Sequence, residues 1–91
     1  MGRVGRWYVP RRQARFVRRN ALVVLGNTGD GADARVQACL REALADRDPL
    51  IRAHAVWAAA RLGRHDLLRP MLPTEGDDEV RTELNDALAP A

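Results

Sequence analysis

The 91-residue sequence has no lysine, no serine and a single cysteine, and its aromatic residues are two tryptophans, one tyrosine and one phenylalanine. One cysteine, Cys39, excludes a disulfide framework and any cysteine set for zinc or an iron–sulfur cluster. Free cysteine packs as a small hydrophobe, so Cys39 is expected in the core, three residues after Val36. Long apolar runs are missing too. Ala21–Leu25, the longest in the first helical stretch, falls far short of the ~18 residues of a membrane span, and no signal-peptide core precedes it. Arg6 stands where a myristoylation signal wants serine or threonine. Organelle leaders are arginine-rich and serine-rich, and this start has only the arginine. The expectation is a cytoplasmic protein with no membrane partner.

Arginine supplies all 15 basic charges against 12 acids. Seven of them (Arg3, Arg6, Arg11, Arg12, Arg15, Arg18 and Arg19) precede the first acid, Asp30. Residues 1–29 carry +7 and residues 30–91 carry −4, so the net +3 conceals a basic N-terminal end. Such an end attracts phosphates or an acidic protein surface.

One helical stripe is written three times. Val17-Arg18, Ala21 and Val24-Leu25 recur as Ile51-Arg52, Ala55 and Ala58-Ala59, then as Val80-Arg81, Leu84 and Ala87-Leu88, at offsets of 34 and 29 residues. Apolar residues at i, i+4, i+7 and i+8, repeated at such a period, indicate stacked helical hairpins. The expected fold is all-α, a HEAT-like α-solenoid of about two and a half hairpins, or roughly five helices. Residues 1–14 read as a basic aromatic arm or linker and 15–91 as the repeat domain.

Local signals place the elements. A first helix is expected over about Arg15–Gly26, stopped by Gly26-Asn27-Thr28-Gly29. Asp33 caps a second, to about Ala45, burying Val36, Cys39, Leu40, Ala43 and Leu44. Asp48 and Pro49 open a third, which stops at Gly63. A short helix at about Asp66–Leu72, with Asp66 as its cap, precedes a final one at about Asp78–Leu88. The first stripe has no partner helix, although Leu22–Leu25 is apolar around more than one face. Either the arm or something outside the chain must cover it.

The arginine at i+1 lies roughly 75° from the stripe centre, at 100° per residue, and so borders the core. Arg18, Arg52 and Arg81 fit a salt-bridge ladder, with Asp46 or Asp48 as partner for Arg52. Arg18, with no acid near it in sequence, is the best of the three for phosphate. On the other flank, Asn20 and Asn27 align with His54 and Arg61, and Trp57 lies beside them. These side chains suit base edges, stacking and phosphate charge. Turn bridging by the asparagines, a surface role for His54 and a packing role for Trp57 are the alternatives. Glu83 and Asp86 occupy the same positions in the third copy, so a nucleic-acid face would fade there. Trp7 and Tyr8 among the arm's arginines resemble a single-strand binder or an anchored linker. Two histidines and one cysteine provide no nucleophile–base set, and Gly26–Gly31 follows a helix, unlike a phosphate loop. The chain is not expected to be an enzyme on its own.

Val17-Arg18-Arg19-Asn20-Ala21-Leu22-Val23-Val24-Leu25-Gly26-Asn27, followed by Leu44-Ala45-Asp46, Asp48-Pro49-Leu50-Ile51-Arg52-Ala53-His54-Ala55-Val56-Trp57-Ala58, resembles the C-terminal region of epoxyqueuosine reductases. The resemblance implies a HEAT-like module that helps hold tRNA in queuosine biosynthesis. The family's cobalamin and two [4Fe–4S] clusters would lie in a domain absent from this sequence, leaving no cofactor here. The implied partners are tRNA and a separate or upstream reductase domain. Arg18, Arg19, Asn20 and Asn27 match the first motif, and Arg52 and His54 the second. With the basic stretch and the aligned flank, the candidate RNA-binding residues are Arg11, Arg12, Arg15, Arg18, Arg19, Asn20, Asn27, His54, Trp57 and Arg61. A protein–protein scaffold docking an acidic partner is the alternative, and a DNA-binding repeat a third.

Overall fold

The computed structural model describes residues 11–90, with side chains from Arg15 onward. The arm's arginines and aromatics at positions 3–8 therefore lie outside the described residues. Four α-helices are present among them: α1 (Arg11–Thr28), α2 (Ala34–Leu44), α3 (Pro49–Arg61) and α4 (Asp78–Leu88). Two short 3-10 turns, His65–Leu67 and Arg69–Met71, replace the single short helix expected before α4. Pro70 has no amide hydrogen for an α-helical ladder. Asp66 does not cap this segment; Arg64 occupies the cap position, and its guanidinium donates to the Asp66 carboxylate. None of the described helices is long and apolar enough to cross a membrane.

The other starts follow aspartate chemistry. Asp33, Asp48 and Asp77 each adopt extended backbone and accept a hydrogen bond from the N–H two or three residues on. Pro49 follows its cap at a position where the missing N–H costs nothing. Gly63, at φ 75°, turns the chain after α3.

Helix α1 is longer than its sequence suggests at both ends. Arginine and glutamine are good helix formers, so the helix starts at Arg11, inside the expected arm. Gly26 does not stop it, and α1 runs on to Thr28. This glycine serves packing instead. A Cβ there would meet Trp57 Cζ3 at 2.6 Å and the Ala58 Cα at 3.1 Å, so its absence permits close contact between α1 and α3.

Helix α3 packs against all three other α-helices. Ile51, Ala55, Val56, Ala58 and Ala59 are buried along it, with Leu22, Leu40, Ala43, Leu44, Leu68, Val80 and Leu84 around them. Alanine buries little area but lets backbones approach, and the few large residues supply most of the apolar burial. Contacts at both ends show α1 and α3 running parallel and in register: Arg15 reaches Asp48, and Arg61 reaches Asn27. The chain is thus a small helical solenoid, with α2–α3 as one hairpin, the 3-10 turns with α4 as a second, and α1 as a half without a partner helix among the described residues.

The first copy of the stripe is bare where the second is buried. Val17 and Val24 are 57% and 61% exposed, whereas their counterparts Ile51 and Ala58 are 1% and 0% exposed. Cys39, expected in the core, is exposed, and Val36 is half-buried. Both departures share a cause, because no described element covers this side of α1 and α2.

Candidate RNA-binding face

The structure sorts the candidate arginines by their partners. Arg15 donates through Nε and Nη2 to the two carboxylate oxygens of Asp48, each at 2.8 Å. That fork holds the Asp48 carboxyl below its ordinary range and raises the Arg15 guanidinium. Arg18 donates to Asp46, an acid 28 residues away, which sequence proximity concealed. Arg52 pairs with neither Asp46 nor Asp48 through their carboxylates. Its Nε and Nη2 fork onto Glu75 at 3.0 and 2.9 Å, while Nη1 donates to the Asp46 and Arg47 carbonyls.

A ladder results. Each acid lies six residues before a repeat arginine: Asp46 before Arg52, and Glu75 before Arg81. Each accepts from the arginine of the preceding copy and from the N–H of the capping aspartate two residues on. Each also offers its own carbonyl to the arginine of its own copy. Glu75 is 8% exposed, and its pairing with Arg52 holds its carboxyl below the ordinary value. Arg18 and Arg52 are therefore structural in their primary contacts.

The remaining candidates gather on one face of α1 and α3. On α1, Arg19 lies over the Phe16 ring at 5.1 Å and donates to the Asn20 Oδ1 at 3.1 and 3.3 Å. On α3, Arg61 lies over the Trp57 ring at 5.6 Å and donates to Asn27 Oδ1 at 3.1 Å. His54 sits beside them, its Nδ1 bonded to the Leu50 carbonyl at 2.9 Å. The carbonyl can only accept, so Nδ1 is the donor of this bond. Two guanidinium–ring pairs with amides between them offer stacking surfaces, charge and hydrogen-bonding groups. Arg11 and Arg12 stand in the first turn of α1, and their side chains lie outside the described set.

Sequence reasoning missed Phe16, although its spacing to Arg19, i to i+3, was readable. It also missed the groove of about 440 Å³ where this face meets α4. Val23, Leu50, Ala53 and Trp57 line it on one side, and Glu79, Thr82 and Glu83 on the other. These acids end the cationic surface at α4, where Glu83 already marked the change in sequence. Among the described residues, no group of three His, Cys, Asp or Glu side chains could hold a metal ion.

The family of HEAT repeats matches residues 11–89. No curated protein matches the chain, and no solved structure does so. The match spans all four α-helices, and the stacking of α1, α3 and α4 with their arginine ladder follows the repeat in the sequence. The chain belongs to the HEAT-repeat family.

Proposed function

We propose that this helical-repeat interaction module binds RNA, specifically tRNA, across the α1–α3 face, as the recognition part of an epoxyqueuosine reductase-like protein. The observation that carries this reading is the pair of arginine–aromatic stacks, Arg19 on Phe16 and Arg61 on Trp57. They share one face with Asn20, Asn27 and His54, outside the ion-pair ladder. The basic stretch before Asp30 and the resemblance of Val17–Asn27 to the reductase sequences support it, while the family match speaks to the repeats alone. Arg15 and Arg18 serve chiefly by holding α1 in place, and Arg11 and Arg12 contribute to the positive charge of the sequence before Asp30.

The module is non-catalytic on this reading. One cysteine does not supply the thiolates of an iron–sulfur cluster. Cobalamin and clusters would belong to a partner domain or subunit.

Binding of a purified tRNA, followed by anisotropy over a series of salt concentrations, tests the proposal. Arg19→Ala and Arg61→Ala are each expected to weaken binding, and each lost phosphate contact to flatten the log–log salt slope by about one. Trp57→Ala is expected to cost about tenfold through lost base stacking, with helicity checked by circular dichroism. Unchanged affinity and slope in all three variants would refute it. The competing protein-scaffold reading predicts that outcome.

A further inference from the structure

The α4 wall of the groove of about 440 Å³ can only accept hydrogen bonds. Glu79 and Glu83, one turn apart, are carboxylates, and Thr82 between them gives its hydroxyl proton to the Asp78 carbonyl. Neither glutamate enters an ion pair among the described residues. Like charges at i and i+4 repel, so the wall favours a ligand that brings donors to it. The facing wall of Val23, Leu50, Ala53 and Trp57 is apolar and suits a flat ring.

The repeat gives the groove a direction. Asn20, His54 and Glu83 hold one position in the three copies, so the row passes from amide to imidazole to carboxylate. Helix α1 carries five arginines and no acid, whereas α4 carries four acids and one arginine, and α3 packs on both. A polyanion therefore places its phosphates toward α1 and Arg61, and an uncharged part bearing donors enters on the α4 side. A nucleotide has this polarity. Of the four bases, guanine sets two donors side by side, N1–H and the N2 amino group, to match the two oxygens of one carboxylate. Adenine and cytosine offer an amino group alone, and uracil flanks its N3–H with two carbonyls.

We propose that the groove receives an unstacked guanine base, an inference that rests on the RNA reading of the adjoining α1–α3 face. The donor edge of the base meets Glu83, and its ring lies along the apolar wall. Glu83 is half-buried and Glu79 exposed, so Glu83 is the principal acceptor and Glu79 flanks it. The acids thus select a base where an RNA-binding surface would otherwise gain from their absence.

The probes are oligouridylates of about ten nucleotides whose central position is U, C, A, G or inosine, and anisotropy at one low salt concentration measures their affinity for the full chain. The guanine probe is expected to bind about tenfold tighter than the uridine probe. Inosine, which lacks only the N2 amino group, is expected to fall between them. Glu83→Gln, with helicity checked by circular dichroism, is expected to erase the guanine preference, since the amide keeps one acceptor oxygen. The same variant is expected to bind the uridine probe no more weakly than the parent does. Equal affinities for all probes, binding of none of them, or a preference surviving Glu83→Gln would overturn the proposal. So would a variant that binds every probe more tightly by one common factor, because the acids would then act only by repelling phosphate. A cationic occupant of the groove predicts no discrimination among the bases. Should tRNA still bind after any of these results, the RNA reading stands without the guanine site; loss of tRNA and probe binding together refutes both.

Discussion

Replacing Glu75 with alanine is expected to lower stability by about 3 kcal/mol, because one partner of a mostly buried ion pair would be left behind. In a domain of this size that corresponds to roughly 15 °C in Tm. Glu75 holds three things at once: the Arg52 fork, the N–H of the Asp77 cap and, through its carbonyl, Arg81. The carbonyl survives the substitution, whereas the fork and the cap contact are lost. Thermal unfolding followed by circular dichroism measures the effect.

The same residue gives the effect a pH signature. Its folded pKa lies below the ordinary 4.5, chiefly through the Arg52 hydrogen bonds. The stability it contributes is therefore complete above about pH 5 and declines as pH falls through the lowered folded value. Glu75→Gln is expected to be less stable than the parent at neutral pH and to lose less on acidification, so the two Tm curves converge at low pH. Parallel curves would refute the assignment. Asp48 has the same sign through Arg15, so the variant retains a residual acid dependence.

The second large effect falls at Gly26. In an exposed helix interior, glycine to alanine gains about 1 kcal/mol from helix propensity. Here the new methyl would sit 2.6 Å from the Trp57 ring and 3.1 Å from the Ala58 Cα, a backbone atom that cannot rotate aside. Gly26→Ala is expected to be net destabilising by about 1 kcal/mol, and Gly26→Val by about 3 kcal/mol as the extra methyls force α1 from α3. Denaturant midpoints measure this. A stabilised Gly26→Ala would mean that α1 and α3 do not approach so closely. Since Trp57 must yield, Gly26→Ala also perturbs the face that carries Arg61.

How far the fold was legible depended on the range of the interaction. The Asp33 and Asp48 caps and the bounds of α4 follow from neighbours in sequence, and the repeat predicted the stacking. Gly26 misled because a glycine near a helical run reads as a stop, and only the neighbouring helix reveals its use in close packing. The partner of Arg52 was hidden by 23 residues of chain and by a shortened third repeat, at offset 29 instead of 34. The equal spacing of Asp46 to Arg52 and of Glu75 to Arg81 was the available signal. Cys39 and Val24 bear core patterns without core burial, since a stripe records which face must pack but not whether its partner is present. The aligned flank of Asn20, Asn27, His54, Trp57 and Arg61 was readable, and Phe16 completes it.

Ultraviolet crosslinking of the full chain to tRNA, mapped by mass spectrometry, tests the RNA-binding face most directly. The account predicts crosslinks at Phe16 and Trp57, lost at high salt, with none on the outward face of α2 around Arg35 and Ala38. Crosslinks confined to α2 or α4, or none at low salt where binding is strongest, would contradict it.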